Sequence, residues 1–62
     1  MDWTDKEKET LCAMYEITKP KRELALLLGR TESACGVMAA TLRSKGMFEA
    51  YKARGRLRLG ID

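Results

Sequence analysis

The 62-residue sequence carries 12 Lys/Arg against 9 Asp/Glu, with a pI near 9.1, and is 45% hydrophobic and 34% charged. A chain this short buries only about 60% of the surface that it exposes when unfolded, so it accommodates one small domain with a thin core. It contains no histidine, which removes the usual neutral-pH proton shuttle, Cys2His2 zinc sites and Ser-His or Cys-His nucleophilic pairs, and argues against an enzyme, a metal or a cofactor.

Thr4-Asp5-Lys6-Glu7 fits a capping box, in which a hydroxyl accepts from the third helical amide while the Glu side chain returns to the cap amide. A first helix is predicted from there, with Leu11, Met14 and Tyr15 on one face and Asp5, Lys6 and Glu9 in water. Lys19-Pro20 ends the pattern, because a residue before proline avoids the helical region and proline suits a helix start. The second helix then covers Lys21 to Leu28, with Leu24, Ala25, Leu27 and Leu28 on its apolar face and Gly29 closing it in a left-handed conformation. Leu26 points away from that face, which predicts cover by the C-terminal tail or exposure to a partner.

Thr31 is a good N-cap for a third helix, Glu32 lies in its first turn, and Gly46 stops it after about Lys45. Cys35, Met38, Ala39 and Leu42 share one side at helical spacing and are expected to face the first two helices. Ser33, Gly36, Val37, Ala40 and Ser44 form an uncharged stripe of small side chains on the other side, flanked by Arg43. Glycine inside a helix costs about 1 kcal/mol relative to alanine, so Gly36 points to close approach by another surface. These elements divide the chain into a helical domain over residues 1–46 and a basic C-terminal extension over residues 47–62. Met47 to Tyr51 fits a short helical turn, after which Arg54, Arg56 and Arg58 alternate with Gly55, Leu57 and Leu59, the period of an extended strand or arm.

Cys12 and Cys35 stand far apart with no CxxC, and read as reduced core residues. No apolar run is long enough for a membrane span and the acidic start does not resemble a signal peptide, so a cytoplasmic protein is expected. Charge is segregated along the chain. Residues 1–17 carry two Lys against five Asp/Glu, residues 18–46 six Lys/Arg against two Glu, and residues 47–62 four against two. Net positive charge is confined to the last two thirds, an asymmetry that a uniformly solvated surface would not need.

Trp3-Thr4 opening the first helix, Leu11 and Met14 at core spacing, Glu23-Leu24-Ala25 leading into Leu28-Gly29-Arg30-Thr31, and Cys35 and Leu42 in the third helix form a pattern over residues 3–45. It resembles the Myb/SANT-like branch of homeodomain-like helix-turn-helix domains. The resemblance implies an all-α, three-helix helix-turn-helix bundle with a basic C-terminal tail, its last helix in a DNA major groove. It also implies transcription regulation, on the nucleoid or, in a eukaryote, in the nucleus; the short stand-alone format resembles phage or mobile-element regulators. The family's further tryptophans fall where this chain has Lys21 and Ala39, and its Arg, Lys or Asn readers fall at Ser33, Gly36, Val37 and Ala40.

The expected ligand is therefore double-stranded DNA, held mostly by its phosphates and read with modest selectivity. Lys19, Lys21, Arg22, Arg30, Arg43 and Lys45 are the candidate phosphate contacts. Ser33, Val37, Ala40 and Ser44 are the candidate base-edge contacts, the apolar pair being suited to a thymine methyl. Arg54, Arg56 and Arg58 are expected to track a backbone or enter a minor groove. Arg30 is equally suited to pairing with Glu7 or Glu9 of the first helix. The alternative is a protein-binding adaptor or inhibitor, or a homodimer, in which Gly36, Ala40 and Ser44 admit a closely packed second helix.

Overall fold

The computed structural model of the protein describes residues 2–61. These form α1 (Asp5–Met14), α2 (Lys21–Leu28), α3 (Glu32–Ser44) and α4 (Phe48–Leu59), with no strand among the described residues. None of the described helices is long and apolar enough to cross a membrane.

Local chemistry sets the first three helices where the sequence predicts them. The Thr4 hydroxyl accepts from the Glu7 amide at 3.1 Å, and the Glu7 carboxylate accepts from the Thr4 amide at 3.0 Å. At the other end of α1, the Lys21 ammonium donates to the Tyr15 and Thr18 carbonyls, supplying donors and positive charge where a helix leaves acceptors unpaired. Gly29 closes α2 at φ 67°, a conformation that costs a side chain with a Cβ. This reversal lets the Arg30 amide reach the Ala25 carbonyl at 3.0 Å, and Thr31 then caps α3 by accepting from the Ala34 amide at 3.0 Å.

The fourth helix replaces the extended arm that the 54–59 alternation predicts. Its buried residues are Phe48, Tyr51 and Gly55, spaced by three and four as an α-helix requires, whereas Leu57 is 86% exposed. Arginine and leucine alternate here on a helical surface, so their period of two does not report which side packs. α4 lies against α1 more extensively than any other pair of helices meets. Gly55 makes this possible: a methyl group there would come within 2.7 Å of the Glu9 carbonyl carbon and 2.9 Å of Ala13 Cβ.

With α4 on one side and α2 and α3 on the other, α1 buries three consecutive residues, Leu11, Cys12 and Ala13. A helix covered by a single layer would bury positions three and four apart instead. Leu24, Ala25, Cys35, Ala39, Leu42, Phe48 and Tyr51 complete the core, with Trp3, Met14, Tyr15, Leu28 and Met38 packed at its edge. Cys12 and Cys35 are free and buried, and burial pushes the Cys12 thiol up to about 11 and the Cys35 thiol in the same direction. Both are inert packing residues. Leu26 is 74% exposed and is not covered by α4, and Leu27, expected on the buried face of α2, is 63% exposed.

Because the Glu9 backbone cannot move aside without breaking α1, enlarging Gly55 forces the two helices apart. Gly55→Val is expected to lower the unfolding free energy by at least about 2 kcal/mol, measured by urea denaturation with the unmutated chain alongside. A substitution tolerated within about 0.5 kcal/mol would refute the close approach.

Candidate nucleic-acid interface

The two sides of α3 differ in what they touch. Cys35, Ala39 and Leu42 point into the core. Ser33, Val37, Ala40 and Ser44 are exposed and Gly36 is partly so, with Val37 at 67%. The small-residue stripe is thus an outward ridge. A Cβ added at Gly36 would meet nothing within 4 Å, so no packing inside the monomer requires glycine there. Glu32, in the first turn of α3, is the acid nearest the ridge in sequence and complements the helix N-terminus.

The predicted phosphate ligands separate into two sets once their partners are known. Arg30 is engaged internally. Its guanidinium donates to both Glu7 oxygens at 3.0 and 3.1 Å and to the Asp2 carbonyl at 3.0 Å, and lies 4.3 Å from the Trp3 ring centroid. With its side chain only 11% exposed, it ties the α2–α3 turn to the start of α1. Lys21 is likewise occupied by the carbonyls at the end of α1. Arg58, expected on an extended arm, donates to Glu9 at 3.0 Å, to the Lys6 carbonyl at 3.0 Å and to the Thr10 hydroxyl at 2.9 Å. Arg54 lies over the Tyr51 ring.

Lys19, Arg22 and Lys45 are exposed and make no side-chain hydrogen bond or ion pair among the described residues. Arg43 is intermediate: it stacks 4.4 Å from the Phe48 centroid and reaches Glu16 at 3.7 Å with about half its side chain in water. An exposed pair that long contributes little, so Arg43 remains exchangeable for an outside anion. Arg56, half-buried on α4, also lacks an ion pair among the described residues. The tail arginines therefore do not form one extended cationic arm beside the ridge; two of the three are engaged with α1 or with an aromatic ring.

Sequence reasoning did not anticipate Glu16. It accepts from Lys52 at 2.5 Å and faces Arg43, and these cations, Lys52 foremost, hold its carboxyl below the usual range. Only the packing of α4 brings Lys52 there. No family model, curated protein or solved structure matches the chain.

The Glu7–Arg30 contact has a pH signature. Hydrogen bonds from the Arg30 guanidinium and then from the Thr4 amide hold the Glu7 carboxyl down to about 2, from 4.5. A carboxylate with a depressed folded pKa stabilises the fold fully above its unfolded value and loses that contribution as pH falls toward the folded one. Stability should therefore decline between pH 4.5 and 2 partly through Glu7. Glu7→Gln is expected to be less stable than the unmutated chain at pH 7 and to show a shallower decline across that acid window, measured by urea unfolding at a series of pH values. An unchanged acid slope would show that Glu7 is not the titrating group.

Proposed function

We propose that the chain is a small double-stranded-DNA-binding protein, Myb/SANT-like in type, that seats the outward ridge of α3 in a major groove and acts as a transcription regulator. The observation that carries this reading is the union, on one segment, of an exposed uncharged ridge with cations that no partner among the described residues neutralises. Lys19 and Arg22 flank the start of α2 and Lys45 ends α3, so the basic residues left for phosphates bracket the helix-turn-helix segment. Phosphate contacts of this type fix register and supply salt-dependent affinity without naming a base.

Ridge chemistry limits what is read. There is no Arg, Lys, Asn or Gln among Ser33, Gly36, Val37, Ala40 and Ser44, hence no bidentate donor for guanine or adenine. Hydroxyls at Ser33 and Ser44, and apolar contact of Val37 and Ala40 with thymine methyls, are what remain. The longest dimension of the molecule is 24 Å, roughly seven base pairs at about 3.4 Å each. One copy would cover a short site, and useful affinity would come from several copies along a duplex or from a larger assembly.

If Lys19, Arg22 and Lys45 each neutralise one phosphate, log affinity should fall against log salt with a slope of about −3, reaching about −4 where Arg43 joins them. Arg22→Ala should make that slope shallower by about 0.9, read by fluorescence anisotropy on a labelled duplex. Arg30→Ala should lower thermal stability and leave the slope of the folded protein unchanged. Duplex binding that is undetectable at about 50 mM salt, or insensitive to salt, would reject the reading.

Gly36 offers a second, opposite-signed test. Because a methyl there meets nothing inside the monomer, Gly36→Ala should stabilise the helix by about 0.5–1 kcal/mol and yet weaken duplex binding by holding the backbone away from the groove floor. Melting and anisotropy on the same sample distinguish the two effects, and a Gly36→Ala variant that is both more stable and equally tight in binding would remove the ridge from the interface.

A further inference from the structure

A second surface lies away from α3. Lys6, Thr10 and Met14 follow one another at four-residue spacing along α1, facing Leu27 of α2, and Leu59 and Ile61 join them from the end of the chain to line a groove of about 530 Å³. A neighbouring depression of about 450 Å³, lined in part by Arg56 and Leu57, shares Ile61 with it, so the apolar surface continues around the end of α4. Leu27 and Leu57 are mostly in water. Exposed leucines beside an apolar groove are surface that a partner can cover.

Charge decides what fits. Glu7, the carboxylate on the groove wall, is neutralised by Arg30 at 3.0 Å, and the Thr10 hydroxyl is taken by Arg58. Lys6 and Arg56 make no ion pair among the described residues. Among the described residues that line the two depressions, the unneutralised charge is therefore of one sign. A second copy joined across a two-fold axis would set this cationic rim against itself, which disfavours self-association. A nucleic acid would engage the cations with its phosphates but bring no apolar side chains to cover the leucines. An acidic, amphipathic segment satisfies both the floor and the rim.

Shape agrees with a helical partner. Lys6 to Met14 spans about 12 Å at 1.5 Å per residue, two helical turns, the length over which an amphipathic helix presents anchors at i, i+3 or i+4, and i+7. We propose that this groove docks an acidic amphipathic helix of a partner protein, its apolar side chains against Met14, Leu27 and Leu59 and its carboxylates on Lys6 of the groove and on Arg56 of the adjoining depression. No residue of α3 lines the groove, so the site is separate from the proposed DNA interface and stands whether or not the chain binds a duplex.

The test is a random display library of peptides of about 16 residues, roughly four helical turns, selected on the folded chain. Selected sequences should be enriched in Asp and Glu with apolar residues at helical spacing. The tightest, resynthesised, should shift the backbone amide resonances of Lys6, Met14, Leu27 and Leu59. Leu27→Glu should weaken it at least about tenfold while leaving melting unchanged, and Lys6→Glu combined with Arg56→Glu should do the same. Selection that yields no binder, yields basic or patternless peptides, or yields peptides whose shifts map to α3 overturns the proposal. So does a concentration-dependent dimer in sedimentation that Leu27→Glu dissolves, which would give the groove to a second copy.

Discussion

The approach of α4 to the backbone of α1 at Gly55 governs most of what is exposed and what is hidden in this molecule. Without a side chain at that position the two helices lie close enough for Phe48 and Tyr51 to enter the core that Leu11, Leu24, Ala39 and Leu42 build. Neither α2 nor α3 carries an aromatic residue, so the aromatic volume on that side of the core comes from the fourth helix. Lys21, at the start of α2, is taken by the carbonyls at the end of α1. Because α4 covers α1 and leaves the far side of α3 untouched, the small-residue ridge stays in water, and between the end of α4 and α2, across α1, the apolar groove opens.

A second constraint fixes the direction of α3. Arg30 sits in the turn that feeds it and is held by Glu7, the Asp2 carbonyl and the Trp3 ring together. The Glu7 oxygen that completes the capping box also accepts from Arg30, so the same carboxylate that starts α1 orients the entry to α3. A planar guanidinium with several fixed donors can serve a carboxylate, a carbonyl and an aromatic face at once, and a lysine cannot. The arrangement makes Arg30 part of the scaffold, and any phosphate contact falls to residues around it.

Much of this was legible in the chain because it rests on neighbours in sequence. The capping box at Thr4, the left-handed closure at Gly29 and the Thr31 cap each join residues no more than a few positions apart, so their spacing alone identifies them. Ridge exposure followed from the periodicity of Cys35, Ala39 and Leu42 on the opposite side. What resisted reading depends on distant approach. Gly55 packs through the absence of a side chain, which no hydropathy pattern registers, so the arginine–leucine alternation around it prevailed and predicted an arm. In α2, leucine occupies three consecutive positions from Leu26, and that only Leu28 is partly covered depends on where α1 and α3 lie. The partners of Arg58 and Lys52 sit on α1 or just beyond its end, far away in sequence, and so could not be inferred from local spacing.

This long-range pairing also revises the meaning of the charge segregation. An acidic first segment and a basic last one look like a chain arranged for a polyanion, but Glu9 with Arg58 and Glu16 with Lys52 join those two segments to each other. Part of the asymmetry is complementarity between the α1 segment and α4, which cancels within the monomer and attracts nothing outside. The excess that does not cancel in this way belongs to residues 18–46, where six Lys/Arg face two Glu. From that set Arg30 and Lys21 are withdrawn by contacts within the fold. Lys19, Arg22, Lys45 and the loosely paired Arg43 are left, on the same stretch of chain that bears the ridge. The case for a duplex thus rests on four side chains and one helix face, a narrower basis than net charge, and one whose salt dependence each of those side chains should alter separately.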